Sequence, residues 1–145
     1  MQKVVLMLAM VFFSQCSLAD AAGEIKYRQG VMGVVGGHMS SMVAIMRGRV
    51  HQADLKLHAR GMANIAEVVP SVFPKGSGDG KTGALPAIWK NPEAFQSAMD
   101  EFVEAAKEIN QVMESKNMER LGPTLKKLGG ACKGCHDDFR KEHDH

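Results

Sequence analysis

The residues best suited to chemistry are Cys132, Cys135 and His136, which form a C-x-x-C-H run near the C-terminus. This run is the attachment signature of c-type haem, in which the two thiols add to the porphyrin vinyl groups and the adjacent histidine becomes an axial iron ligand. On a helix, Cys132 and His136 lie one turn apart and Cys135 falls on the same side. The run therefore predicts one covalent haem c, with its iron, per chain.

Two other kinds of site also use a C-x-x-C pair. A zinc site needs four ligands at suitable spacing, and the chain has no second cysteine pair. A thioredoxin-like redox pair follows a strand and opens a helix, and no strand is predicted before this run. Both alternatives stay open from the residues alone, but haem is favoured over them.

The N-terminus has the pattern of a secretory signal peptide. Lys3 supplies the positive charge, residues 4–13 form the apolar run, and Ser17-Leu18-Ala19 resembles an A-x-A cleavage site. The apolar run is too short to span a bilayer. We expect cleavage after Ala19, with Ala22 as the alternative, and export to the periplasm, because covalent haem attachment in bacteria takes place outside the cytoplasm.

Composition narrows the range of partners for the mature domain, which we expect to span 20–145. The formal net charge of the full chain is +2, and removal of the signal with its single charge, Lys3, leaves +1 (2 − 1). Such a near-balance argues neither for nucleic acid nor for strong membrane attraction. We expect no nucleic acid partner and no stable membrane insertion. The mature chain keeps only the two cysteines of the run, so packing and haem must stabilise it without disulfides.

Apolar residues recur at helical spacing in four segments, which predicts four amphipathic helices. Helix A covers about 23–47, and helix B begins near Leu55 and is stopped by Pro70. Helix C starts at the Asn91-Pro92-Glu93 cap and ends near Ser115. Helix D follows a turn near 116–117, and its apolar stripe includes the haem cysteines.

The connection between helices B and C is rich in proline and glycine and has no apolar period. Long connections in compact domains are often functional, and we expect its apolar residues Phe73, Leu85, Ile88 and Trp89 to fold it over one end of the bundle. With no strand candidate and short connections elsewhere, the fold class predicted is all-α. The architecture is an antiparallel up-down-up-down four-helix bundle with a C-terminal C-x-x-C-H motif.

The mature chain resembles the class II cytochromes c, the family of cytochrome c prime and its low-spin, methionine-ligated relatives. The matching residues are Lys26-Tyr27-Arg28-Gln29-x-x-Met32 in helix A, Leu85-Pro86-Ala87-Ile88-Trp89 before helix C, and the C-terminal haem motif followed by Phe139-Arg140. The resemblance implies thioether bonds to haem at Cys132 and Cys135 and His136 as the proximal iron ligand. It further implies Arg28 and Gln29 beside the haem edge and propionates, and Arg140 near the proximal imidazole.

The same resemblance implies that Met32 lies above the iron, opposite His136. In cytochrome c prime a bulky side chain there leaves the iron five-coordinate and open to nitric oxide or carbon monoxide, whereas in the low-spin relatives a methionine binds the iron. The stretch 69–77 resembles the low-spin branch. We therefore expect an electron carrier that serves periplasmic redox proteins with Met32 as distal ligand. The alternative is a five-coordinate protein that binds NO or CO beneath Met32 as a non-coordinating lid.

Other functions are less favoured. A peroxidase needs a polar distal group, and neither Met32 nor its neighbours Val31 and Val35 provide one, so no enzyme activity and no catalytic residue are expected. His38 is a weaker distal candidate, almost two turns from Met32. His51 and His58, seven residues apart, could pinch a surface metal, although ordinary neutral histidines are commoner.

Association through helices A and B, which the family often uses, is a further expectation. The methionines Met39, Met42, Met46 and Met62 could in part face a second copy of the chain. Methionine at helical spacing is more often core, and periodicity alone does not separate these faces. A homodimer is therefore an open expectation at this point.

Overall fold

The fold consists of helices joined by short turns and one long connection. A computed structural model describes residues 15–142. Its helices are α1 Gln15–Gly48, α2 Leu55–Ala66, the single turn α3 Ala87–Lys90, α4 Pro92–Glu114 and α5 Leu121–Phe139. Within these residues no strand forms, and one isolated bridge joins Ala84 to Arg140. The all-α prediction is confirmed.

Ion pairs fix the directions of the long helices. Lys56 and Arg60, early in α2, lie 2.7 and 3.2 Å from the carboxylate of Glu114 at the end of α4. Lys127 of α5 lies 2.7 Å from Glu108, late in α4. Because the connections between α1 and α2 and between α4 and α5 are short, α1, α2, α4 and α5 run up, down, up and down. The predicted four-helix bundle is confirmed.

The apolar stripes meet in one core. Met42 of α1, Met62 of α2, Ile109 of α4 and Leu128 of α5 are fully buried there. Met42 and Met62 therefore fill the core and do not face a second copy. Met46, by contrast, is 37% exposed.

Two helix boundaries differ from those predicted. The first helix begins at Gln15 and not at Gly23, so cleavage after Ala19 would remove its first five residues. Residues 1–14 of the predicted signal lie outside the described part of the chain. The second helix ends at Ala66, and Val69 and Pro70 belong to a separate 3-10 turn. Proline fits the first turn of that element because no intrahelical partner is needed there for a backbone N–H.

The long connection folds over the end of the bundle at which α5 finishes, as expected. The indole Nε1 of Trp89 donates to the carbonyl oxygens of Phe73 and Pro74 at 3.1 and 3.2 Å. Phe73 packs edge-on against Phe95 of α4, which packs in the same way on Phe139 of α5, with ring centroids 4.9 and 5.2 Å apart. The connection is thereby attached to the helix that carries the haem motif.

No helix in residues 15–142 is both long enough and apolar enough to cross a membrane.

Candidate haem-attachment site

The bundle is less tightly closed on one side. The helix pairs α1 and α2, α2 and α4, and α4 and α5 pack along their lengths, whereas α1 and α5 make few contacts with each other. This open side lies between the helix that carries Met32 and the helix that carries the two cysteines. It is the place in the bundle where a flat group could be held by both helices.

The register of α1 against α5 follows from one contact across this side. The Cε atom of Met39 lies 3.3 Å from the position that a Cβ on Gly129 would take. Met32 lies seven residues before Met39, and His136 lies seven residues after Gly129. Because the helices are antiparallel and rise about 1.5 Å per residue, both steps run in the same direction over the same distance. Met32 is therefore level with His136 across the open side.

The two thiols fit a covalently attached haem. Cys132 and Cys135 are free and half-buried, and both pack against the core. Burial raises the pKa of Cys132, and burial together with the nearby Cys132 and Asp138 raises the pKa of Cys135 to about 11. Both groups are therefore protonated thiols at neutral pH, three residues apart on one helix.

His136 is exposed beside the thiols and carries a basic neighbour. The Nη1 atom of Arg140, the residue that follows α5, lies 3.3 Å from Nδ1 of His136. Partial desolvation lowers the pKa of His136, Arg140 lowers it further, and Asp137 opposes both effects. The imidazole is therefore neutral at pH 7, the form that binds iron. Arg140 therefore lies where it would affect the imidazole through Nδ1 of His136.

Arg28 is buried among protein partners. It is 3% exposed, and its guanidinium donates to the hydroxyl and carbonyl oxygens of Ser77 at 2.8 and 2.9 Å and to the hydroxyl of Thr82 at 2.9 Å. A longer bond of 3.3 Å reaches the carbonyl of Val72, and the guanidinium carbon lies 5.1 Å from the Phe73 ring centroid. Arg28 therefore fastens the long connection to α1.

The same connection also contacts the last residue of α5 and the residues that follow it. Leu85 donates its backbone N–H to Phe139 at 2.9 Å, and Lys141 donates its own to Gly83 at 2.8 Å. The Lys141 ammonium donates to the backbone carbonyl oxygen of Thr82 at 3.1 Å, and the Thr82 hydroxyl accepts from Arg28. The connection thus bridges α1 and the end of α5 at one end of the open side.

Gln29 and His38 occupy different surroundings. Gln29 is exposed, and its side-chain amide donates to the carbonyl of Lys81 at 3.0 Å. His38 lies against His58 of α2, with their Nδ1 atoms 3.1 Å apart. Its ring is therefore directed to α2 and away from the α5 side, which argues against His38 as a distal ligand.

Ser77 and Thr82 are the partners that sequence reasoning missed. They lie in the aperiodic connection, where no pattern indicates burial. One signal was available for Arg28 itself, which falls three residues after Ile25 and three before Val31 on the buried stripe of α1. An arginine on such a stripe needs acceptors inside the protein, and the connection supplies them.

Comparison with known proteins places these features among related chains. A family model described as Cytochrome C′ matches residues 23–140. A cytochrome c′ from Pararhodospirillum photometricum is 34% identical over 125 residues, which are 85% of this chain and 100% of the relative. A cytochrome c-556 from Agrobacterium fabrum is 33% identical over 140 residues, 91% of each chain. The solved structure of cytochrome c prime from Shewanella frigidimarina has a TM-score of 0.79 and 28% identity, over 84% of this chain and 97% of that one.

Proposed function

Because the chain belongs to the cytochrome c′ family, whose members carry covalently bound haem c, we propose that this monohaem c-type cytochrome binds a small gas, NO or CO, at its iron. Haem c supplies an iron with two axial positions, which the surrounding protein can fill or leave open. The sequence alone favoured an electron carrier with Met32 as iron ligand. The cytochrome c′ relatives support the alternative better, in which the iron is five-coordinate and Met32 is a lid. We therefore propose gas binding first and electron transfer second.

The chain's own residues have distinct roles in this proposal. Cys132 and Cys135 hold the haem through thioether bonds, and His136 is the proximal ligand. Met32 covers the opposite position without binding iron. The observation that supports Met32 opposite His136 is its level across the open side, with its side chain half-buried against the core. The cytochrome c′ relatives favour the lid over the ligand. The thioether already has apolar neighbours and needs no metal to satisfy it.

A second function is supported by a different relative. The cytochrome c-556 from Agrobacterium fabrum is nearly as similar as the cytochrome c′, at 33% against 34% identity. A thioether is a soft ligand that raises the potential of haem iron and suits electron transfer. In this second function Met32 binds the iron, and the protein exchanges electrons with redox partners. Neither function requires a catalytic residue.

The absorption spectrum of the holoprotein tests the two functions. If Met32 is a lid, the iron is high-spin, carbon monoxide shifts the reduced spectrum at once, and Met32→Ala leaves the spin state unchanged while speeding gas binding. Met39→Ala is the matched control, because Met39 shares the same face of α1 two turns away. The electron carrier would be established instead if the spectrum is low-spin and does not change with carbon monoxide, and if it becomes high-spin only in Met32→Ala.

Export to the periplasm is part of the same proposal. The signal pattern of residues 1–19 and the need for haem attachment outside the cytoplasm support it. Intact-mass measurement of the protein from a periplasmic extract should give a chain that begins at Asp20, or at Gly23 for the alternative site, plus one haem. A chain that keeps Met1 would contradict the signal assignment.

Association of two copies through α1 and α2 is a further part of the proposal. A shallow groove between α1 and α2 is lined by Tyr27, Gly30, Val34 and Ile65, among others. Tyr27 and Val34 are 57% and 47% exposed. This apolar surface supports the proposal of a homodimer through α1 and α2.

A further inference from the structure

Two histidines from different helices meet where α1 packs against α2. The Nδ1 atoms of His38 in α1 and His58 in α2 lie 3.1 Å apart, and their ring centroids are 5.4 Å apart at an interplanar angle of 67°. Both side chains are half-buried. Residues 39–57, which separate them, include the whole α1–α2 connection, so the pair exists only through the packing of the two helices.

Gly61 makes room for this pair. It lies one turn after His58, and a Cβ at Gly61 would be 2.5 Å from Nε2 and 3.1 Å from Nδ1 of His38. Contacts this short would force the His38 ring to move. The glycine therefore allows the imidazole of α1 to lie flat against the backbone of α2, close to His58.

The electrostatic surroundings keep His38 available as a ligand. Burial lowers its pKa first, and the neighbouring His58 lowers it further. No acidic group is among the causes of that shift, and both causes favour the neutral imidazole of His38. The neutral ring has a lone pair that a metal ion can accept.

The separation of the two nitrogens suits one metal ion. Zinc and copper bind imidazole nitrogen at about 2.0–2.1 Å. Two such nitrogens at an angle between about 90° and 110° are about 2.9–3.4 Å apart, which spans square-planar and tetrahedral geometry. We propose that His38 and His58 form a two-imidazole chelate for one Zn²⁺ or Cu²⁺ ion on the α1–α2 seam, separate from the haem.

The remaining coordination positions are left to water. In the part of the chain that the structure describes, no group of three or more His, Cys, Asp or Glu side chains could hold a metal ion. Two protein ligands with water give an exchangeable site, in contrast to the closed four-ligand sites of structural zinc. This inference does not depend on which axial function Met32 has.

Zinc titration of the holoprotein tests the chelate. The background variant carries His51→Gln, His143→Gln and His145→Gln, which removes the other histidines outside the haem motif. Calorimetry should detect one Zn²⁺ per chain at pH 7. His38→Gln and His58→Gln should each weaken that binding at least about tenfold, since even the loss of an outer-shell partner costs that much in metal sites. Restoring His51, an exposed residue of the connection that precedes α2, is the matched control and should not change the affinity.

Copper provides a measurement that needs no further substitution. In the background variant, electron paramagnetic resonance of one added equivalent of Cu²⁺ should show two equivalent nitrogen ligands, with the haem absorption spectrum unchanged. Zinc binding that survives either single substitution would overturn the proposal. A copper spectrum with one nitrogen ligand or none would also overturn it.

Discussion

With both Cys132 and Cys135 replaced by alanine, the chain is expected to lose its covalent haem and most of its helical structure. The reason lies in the open side of the bundle, where α1 and α5 make few contacts with each other and the haem is expected to join them. The first helix is weak by itself, since its mid-helix glycines, Gly30, Gly33, Gly36 and Gly37, each cost up to about 1 kcal/mol relative to alanine.

Far-ultraviolet circular dichroism and haem absorbance under denaturing conditions measure the two losses together. Each single variant, Cys132→Ala or Cys135→Ala, is the matched control, because it removes one half-buried thiol but keeps one thioether. The single variants should retain haem in denaturant and most of their helical signal. A double variant that melts cooperatively with native-like helicity would show that packing alone folds the bundle.

The helices themselves could be predicted because each has a stripe that repeats at helical spacing. The best case is α4, where the Asn91-Pro92 start and the end near Ser115 both agree with the observed Pro92–Glu114. A residue type common at helix caps, a proline at the first position and an unbroken heptad all indicate the same boundaries there, although the Asn91 side chain makes no capping hydrogen bond. The order of the helices then followed from the short connections.

Contacts between elements could not be predicted in the same way. His38 and His58 each lie on a helix that was predicted, yet their contact depends on how α1 is rotated and shifted against α2. Periodicity places a residue on a face, but it does not say which residue of another helix it meets. The sequence therefore suggested a pairing of His58 with His51 on one helix, and the structure instead brings His58 to His38 while His51 stays exposed.

The roles of the haem residues could be predicted only in part. The C-x-x-C-H run carries its own chemistry, so Cys132, Cys135 and His136 could be predicted as haem residues before any fold was known. The role of Met32 could not, because lid and ligand differ only in whether one sulfur binds the iron. The same half-buried position on α1 serves both functions, and only the spectrum of the holoprotein separates them.

Replacing Arg28 with methionine is expected to lower the free energy of unfolding of the holoprotein by about 2–4 kcal/mol. Removal of a buried donor leaves its acceptors unsatisfied, which costs about 1–3 kcal/mol for each acceptor. Water that reaches these acceptors relieves part of this cost. Arg28 is 3% exposed, and its short bonds go to Ser77 and Thr82. Methionine keeps the length of the side chain but donates no hydrogen bond. The long connection should therefore loosen where it bridges α1 and the end of α5.

Urea unfolding followed by circular dichroism measures this loss. Gln29→Met is the matched control, because Gln29 is the next residue of α1 and its exposed amide makes a single bond to the same connection. Its cost should stay below about 1 kcal/mol. Arg28→Lys should fall between the two, since one ammonium cannot reproduce the planar fork that reaches both Ser77 and Thr82.

The haem absorbance of the same variants separates two roles for this arginine. If Arg28 acts mainly through the connection, Arg28→Met changes stability while the spectrum at low urea stays close to that of the parent. If Arg28 instead acts mainly on the haem propionates, as the family resemblance implies, the haem spectrum of Arg28→Met shifts. The free energy of unfolding then changes by less than about 0.5 kcal/mol, which is the range of ordinary surface substitutions. The four hydrogen bonds of the guanidinium to Val72, Ser77 and Thr82 favour the first outcome.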